Sequence, residues 1–187
     1  MRYRGAPAVL VDERKAAPQL TGPPLTGPPF EPDEVMTQVG QGIELSQSGY
    51  RPVARSLFAD LWEKVGTEGD PFHRCAIAHL MADVQDELSE ELKWDLLALQ
   101  TAEQLTDSRA QEGDFTGPVQ GLYPSLHLNL ADDYLRLEEF EAAQRHVIAG
   151  RNALSFLPDE GYESMIREGL DRVDNAIMEP RSSKRQK

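Results

Sequence analysis

The chain has little cysteine and no long apolar run, and each absence removes a class of protein. Its 187 residues include one cysteine, Cys75, so neither an intramolecular disulfide framework nor a multi-cysteine zinc site can form. No apolar run approaches the roughly 20 residues needed to cross a bilayer. The apolar stretch Val9-Leu10-Val11 is too short for a signal peptide. We therefore expect a cytoplasmic protein that does not insert into a membrane.

Positive charge is also scarce. The chain contains 19 Lys+Arg against 32 Asp+Glu, which gives a formal net charge of −13. An acidic surface repels phosphate backbones, so we expect no direct binding of nucleic acid. Two interpretations of the charge remain open. It is either a solvated surface or a groove for a basic segment, such as the chain's own C-terminal tail or a partner.

Composition divides the chain into three segments. Residues 1–30 form a Pro/Gly-rich arm with a tandem duplication, Leu20–Pro24 and Leu25–Pro29. Paired prolines favour the extended polyproline II conformation, and the arm is then a linker, a ligand for an aromatic groove, or a strap across the rest. Residues 31–179 form a helical domain. Residues 180–187 are expected to be a basic disordered tail, because Pro180 opposes continuation of a helix.

Helix signals repeat along residues 31–179. Apolar residues recur at helical spacing, either Asp33 or Glu31 marks the first helix start and Asp70-Pro71 a later one, and Gly49 and Gly66 are stop signals. The polar stretch 106–121, with three glycines and a proline, is predicted to be a loop. The chain is therefore expected to be all-α, with helices over about 31–47, 51–65, from 70, from 89, 122–137, 140–156, and from 158 to Pro180.

One stretch has the pattern of a helix–turn–helix repeat. Large, small and aromatic residues alternate at spacings of one, three or four, as two close antiparallel helices require: Leu130, Ala131, Tyr134, Leu137, Phe140, Ala143, Val147 and Gly150. This order resembles the tetratricopeptide repeat, in which Leu-Gly-x2-Tyr is followed by Ala-x3-Phe. The strings His73-Arg-Cys75 and Ser125–Leu130 also resemble those of actinobacterial helical-repeat proteins, and that likeness implies no activity.

The resemblance weakens toward the N-terminus. Ala54, Glu91 and Ala143 occupy the equivalent small-residue position, so a glutamate stands where the family has alanine. Asp95 likewise replaces an aromatic residue, and a register slipped by one would instead place Leu92 inside. The resemblance implies a right-handed stack of about three helix–turn–helix hairpins, closed by a C-terminal capping helix. If the apolar stripe of that last helix were left open, it would become a homodimer interface.

The resemblance also implies a function and a site. Tetratricopeptide repeats bind other proteins or peptides along a concave face lined by the first helix of each hairpin. On that face we place six partner-binding residues: Phe72, His79, Asp83, Asn129, Asp132 and Arg136. An acidic groove there suits a basic or amine-bearing partner. The expected function is a scaffold or adaptor, and the alternative is a sensor or regulatory domain that binds a small basic ligand in the same cleft.

No residue pattern indicates catalysis, a metal or a cofactor. There is neither an HExxH motif nor a three-histidine set. His79 and Asp83 are one helical turn apart and can interact, as can Cys75 and His79. We interpret Cys75 as a packing residue and not as a nucleophile, and we predict that the protein is not an enzyme.

Overall fold

A computed structural model describes residues 33–112, 118–157 and 160–184 of the chain, and this part is helical without any strand. The all-α prediction is confirmed, and the 1–30 arm lies outside the described residues. The helices are α1 (Glu34–Gln47), α2 (Arg51–Val65), α3 (Pro71–Asp83), α4 (Leu88–Ala102), α5 (Asp107–Glu112), α6 (Tyr123–Arg136), α7 (Phe140–Ala153) and α8 (Glu160–Lys184), with 3-10 turns at Val119–Leu122 and Leu154–Phe156.

Three pairs of consecutive helices pack as hairpins. Helix α1 packs on α2, α3 on α4, and α6 on α7, and successive hairpins meet through α2 with α3 and through α4 with α6. Helix α8 packs against both α6 and α7. The described residues therefore form a helical bundle in which each hairpin contacts its neighbour in the chain.

Local sequence explains where the helices begin and end. The side chains of Asp33 and Asp70 accept hydrogen bonds from the first-turn amides of α1 and α3, as N-caps do. Gly49 and Gly66 have positive φ angles of 88° and 73° after α1 and α2, a conformation in which other residues are strained. The predicted start and stop signals at these four positions are confirmed.

Small residues let the helices approach closely. The five alanines at Ala54, Ala78, Ala98, Ala131 and Ala143 are completely buried. At Gly42 an added Cβ would lie 2.6 Å from Cζ of the buried Phe58 ring, so α1 and α2 meet where only glycine fits. The small-residue positions read from the sequence therefore lie in the core.

The polar stretch 106–121 is not the loop that was predicted. It contains α5 and a 3-10 turn, and the Thr106 hydroxyl accepts a hydrogen bond from the Arg109 amide at the start of α5. Arg109 donates two hydrogen bonds to Asp70, and its guanidinium lies 5.1 Å from the centre of the Phe72 ring. These contacts attach α5 to the start of α3. A helix of six residues is too short to show a periodic apolar pattern.

Helix α8 departs from its predicted end. It continues through Pro180 to Lys184, so residues 180–184 of the predicted disordered tail are helical, and residues 185–187 lie outside the described part. Proline removes one donor from a helix but does not always end it. The apolar stripe of α8 is covered by α6 and α7 instead of being open to a second copy: Ile166, Leu170, Val173 and Ile177 are buried there. None of the described helices is both long and apolar enough to cross a membrane.

Candidate functional site

The junction between α4 and α6 contains carboxylates where a helical core normally has apolar side chains. Glu91 and Asp95 lie one turn apart on the buried face of α4, with exposed fractions of 3% and 1%. Asp133 of α6 is completely buried. Because Glu91 pairs with the late residue Arg136 and Asp95 with the earlier Asn129, the two helices run antiparallel across this junction. Three carboxylates are therefore buried between the second and third hairpins.

Arg136 supplies positive charge to one end of the junction. Its Nη1 donates a hydrogen bond of 2.6 Å to Oε1 of Glu91. The same nitrogen lies 3.6 Å from Oδ1 of Asp133 and 3.8 Å from Oδ2 of Asp132. The Arg136 side chain is 39% exposed, whereas that of Glu91 is 4% exposed. One guanidinium at the protein surface therefore faces three carboxylates, two of them buried.

At the other end of the junction, the buried carboxylate of Asp95 has an amide and an imidazole as neighbours. Asn129 donates a hydrogen bond of 3.2 Å from Nδ2 to Oδ1 of Asp95. Nδ1 of His79 lies 4.0 Å from the same oxygen, so α3 also contributes to the site. We call Glu91, Asp95, Asp132 and Asp133, together with Arg136, Asn129 and His79, the acidic cluster. It joins α3, α4 and α6.

The structure brings four of the six predicted partner-binding residues into the acidic cluster: His79, Asn129, Asp132 and Arg136. A fifth, Asp83, follows His79 by one turn on α3 and is half-buried. Phe72 lies two turns before His79, about 10 Å away along the helix axis. It is buried beneath the guanidinium of Arg109, so it belongs with α5 and is separated from the other five.

Arginines of α2 fix the end of α3 that carries Asp83. Arg51 donates hydrogen bonds to the backbone carbonyls of Asp83 and Gln85, and Arg55 donates to that of Val84. A positive charge at the C-terminus of a helix is favoured by the helix dipole and satisfies its last carbonyls. Arg51 and Arg55 thus hold the end of α3 in position beside the acidic cluster.

The acidic cluster is an electrostatically costly arrangement. Each buried carboxylate loses the solvation it has in water, and a charge partner offsets that loss only when the geometry is good. Apolar residues of similar size at such positions are often as stabilising or more so. Four carboxylates of the acidic cluster are accompanied by one guanidinium, and Arg136 and Asp132 are the two members of that pairing that reach solvent.

Cys75 lies outside this chemistry. Its thiol is buried, and burial raises the pKa of the thiol to about 12, so the reactive thiolate is not formed at neutral pH. The side chain packs with Ala78 and Ala98 in the core, in agreement with the packing role expected for it. Within the described ranges, no group of three or more histidine, cysteine or acidic side chains has the geometry of a metal site.

Sequence reasoning noticed Glu91 and Asp95 but did not place them in the site. The resemblance gave them positions that are interior in the repeat pattern but left open a register slipped by one. In the structure Glu91 is buried and Leu92 is only half-buried. Asp133 was missed altogether, although it stands three residues before Arg136 on the same helix and within reach of it.

Comparisons with known proteins identify no relative of the chain. No family model matches it, and no curated protein and no solved structure is significantly similar to it. The function is therefore inferred from the geometry of the acidic cluster and of the hairpins that form it.

Proposed function

We propose that the protein is a tetratricopeptide-like adaptor whose hairpins form a right-handed stack, and that the groove beside α3 and α6 binds a cationic segment of a partner protein. The observation that carries the proposal is the burial of Glu91, Asp95 and Asp133 at the junction of two hairpins. Carboxylates at three interior positions weaken the core relative to apolar residues. A function that needs negative charge there gives a physical reason for them.

The positions of the half-buried carboxylates support a cationic partner. Asp83 and Asp132 are each partly accessible, and both stand on the first helix of a hairpin, which is the helix that lines the concave face in tetratricopeptide repeats. Asp132 and Glu91 both contact Nη1 of Arg136, so a lysine or arginine side chain at Asp132 shares these carboxylates with Arg136. The buried charges would then strengthen attraction at the accessible ones.

The overall charge suits the same partner. With a formal net charge of −13, the chain attracts basic segments over several ångströms and disfavours acidic ones. Such steering accelerates association and is screened by salt, since the Debye length falls to about 8 Å at physiological ionic strength. The binding of a basic segment should therefore weaken as salt is added.

Capture of partners from a lysate of the native host tests the proposal. We expect Asp83→Asn combined with Asp132→Asn to reduce capture about tenfold or more at low salt, because two accessible charges are lost while their shape is kept. The matched control is Glu63→Gln with Glu168→Gln, two exposed carboxylates on α2 and α8, which removes the same net charge elsewhere. Cys75→Ala should leave capture unchanged.

Three outcomes would contradict the proposal. Equal capture by the wild type and by the Asp83/Asp132 variant would remove the groove as the binding surface. Equal loss in the variant and in the Glu63/Glu168 control would show that only the total charge matters. Partners lost only with Cys75→Ala would point to thiol chemistry instead. Thermal melting of every variant checks that the fold is retained.

A further inference from the structure

Two histidines face each other across the third hairpin, outside the acidic cluster. Nδ1 of His127 on α6 lies 3.0 Å from Nδ1 of His146 on α7, and both side chains are half-buried. Tyr123 stacks on His127 with ring centres 6.1 Å apart, and Tyr134 stacks on His146 at 5.4 Å and 12°. Four aromatic rings therefore join α6 to α7, with the histidine pair at the centre.

The short nitrogen–nitrogen distance limits how many protons the pair can hold. One Nδ1 must carry a hydrogen and donate it, and the other must be bare and accept it. A neutral pair satisfies this condition, and so does a pair with one extra proton, because an imidazolium can donate to a neutral imidazole. With two extra protons both Nδ1 atoms carry hydrogen, and two positive rings face each other without an acceptor between them.

We propose that His127 and His146 form a proton-sensitive clasp that holds α6 against α7 until both rings are protonated and then loosens this hairpin. His127 lies on α6, the helix that also carries Asn129, Asp132 and Arg136. Release of the clasp would therefore disturb the side of the bundle on which the acidic cluster is built. The inference itself depends only on the contact between the two histidines, and it holds or fails independently of what the cluster binds.

The charged groups around the pair oppose one another. Glu103, at the end of α4, raises the pKa of His127, although burial has the larger effect and lowers it. Burial, the charge of His127 and the charge of Arg145 together lower the pKa of His146 to about 4. On the side of α8, Leu170 packs near Gly150 and His127, while the carboxylates of α8 that face α7, Asp171 and Asp174, are held by Arg151.

The direction of the pH effect follows from these shifts. Both folded-state pKa values lie below the ordinary histidine value of 6.5, so the unfolded chain binds more protons than the folded chain at mildly acidic pH. The stability that the clasp contributes is complete above pH 6.5 and is lost as the pH falls toward about 4. The clasp is therefore closed at neutral pH and opens in acid.

Hydrogen exchange of the full chain, corrected for the intrinsic effect of pH, tests the clasp. Between pH 6.5 and pH 4 we expect the amides of α6 and α7 to lose at least about tenfold more protection than those of α1 and α2. In His146→Gln, which cannot take up the proton, that excess loss should shrink to about threefold or less. His73→Gln, which removes a histidine that contacts Asp33 and Asp70 instead, should behave like the wild type.

The wild type alone provides a second test if His146→Gln folds poorly. An NMR titration of the His146 ring should give an apparent pKa below 5, and a value near the ordinary histidine pKa would overturn the proposal. Excess acid loss of the same size in the wild type and in His146→Gln would also overturn it, as would unchanged protection of α6 and α7 at pH 4.

Discussion

Gly42→Ala is expected to destabilise the protein by about 1–3 kcal/mol, whereas Gly40→Ala, two residues earlier on the same helix, should stabilise it by up to about 1 kcal/mol. Both changes improve helix propensity by the same amount. They differ in space, because a Cβ at position 42 would enter the ring of the fully buried Phe58, while a Cβ at position 40 has no neighbour within 4 Å. Because the Phe58 ring is fully buried, it can move only by displacing its neighbours.

Urea denaturation of the two variants measures this difference directly. Since both changes add one methyl group to α1, effects of the unfolded chain largely cancel between them. Two variants that shift the unfolding midpoint in the same direction and by the same amount would show that α1 and α2 are not packed through Gly42. Opposite shifts would establish the register of the first hairpin.

Arg136→Met is expected to lower the free energy of unfolding by about 2–4 kcal/mol, whereas Glu91→Met should leave it nearly unchanged or raise it. Removing Arg136 takes away the guanidinium that faces the buried carboxylates of Glu91 and Asp133. Removing Glu91 instead reduces the number of buried negative charges, and Arg136 keeps Asp132 and Asp133 as partners. The partial exposure of Arg136 places the expected cost below that of breaking a fully buried pair.

Denaturant titration at neutral pH distinguishes the two substitutions, with Arg145→Met, an exposed arginine on α7, as the matched control. An Arg136→Met variant as stable as the control would mean that solvent already screens the carboxylates of the acidic cluster without help from Arg136. A Glu91→Met variant that loses several kcal/mol would mean that the Glu91 carboxylate stabilises the fold. Its burial would then give no reason to infer a function.

Much of the fold could be predicted because local chemistry decides it. Helix ends are marked by the side chains of Asp33 and Asp70 and by the positive φ angles of Gly49 and Gly66. Small residues such as Ala143 are needed where two helices approach closely. The departures come from contacts between residues that are distant in the chain. Helix α5 is held by Arg109 and Asp70, which are 39 residues apart in the chain, and no short-range pattern reports such a contact.

The acidic cluster was only half predictable for a similar reason. Helical spacing and the family's geometry placed four residues on one face, and all four lie in the acidic cluster: His79, Asn129, Asp132 and Arg136. The depth at which Glu91 and Asp95 lie depends on how α4 rotates against α6, which is settled by packing of the whole bundle. The same sequence allowed a slipped register with Leu92 inside, and only the three-dimensional structure separates the two.

A calorimetric titration tests the central claim, that the groove beside α3 and α6 binds a cationic segment through Asp83 and Asp132. The probe is a short peptide of alternating arginine and alanine, and its analogue carries citrulline, which keeps the shape of arginine without its charge. We expect the wild type to bind the arginine peptide, to bind it more weakly as salt is added, and not to bind the citrulline peptide. The Glu63→Gln/Glu168→Gln control should retain most of the affinity, and Asp83→Asn/Asp132→Asn should lose about tenfold or more. Equal affinity of these two variants for the arginine peptide would contradict the account.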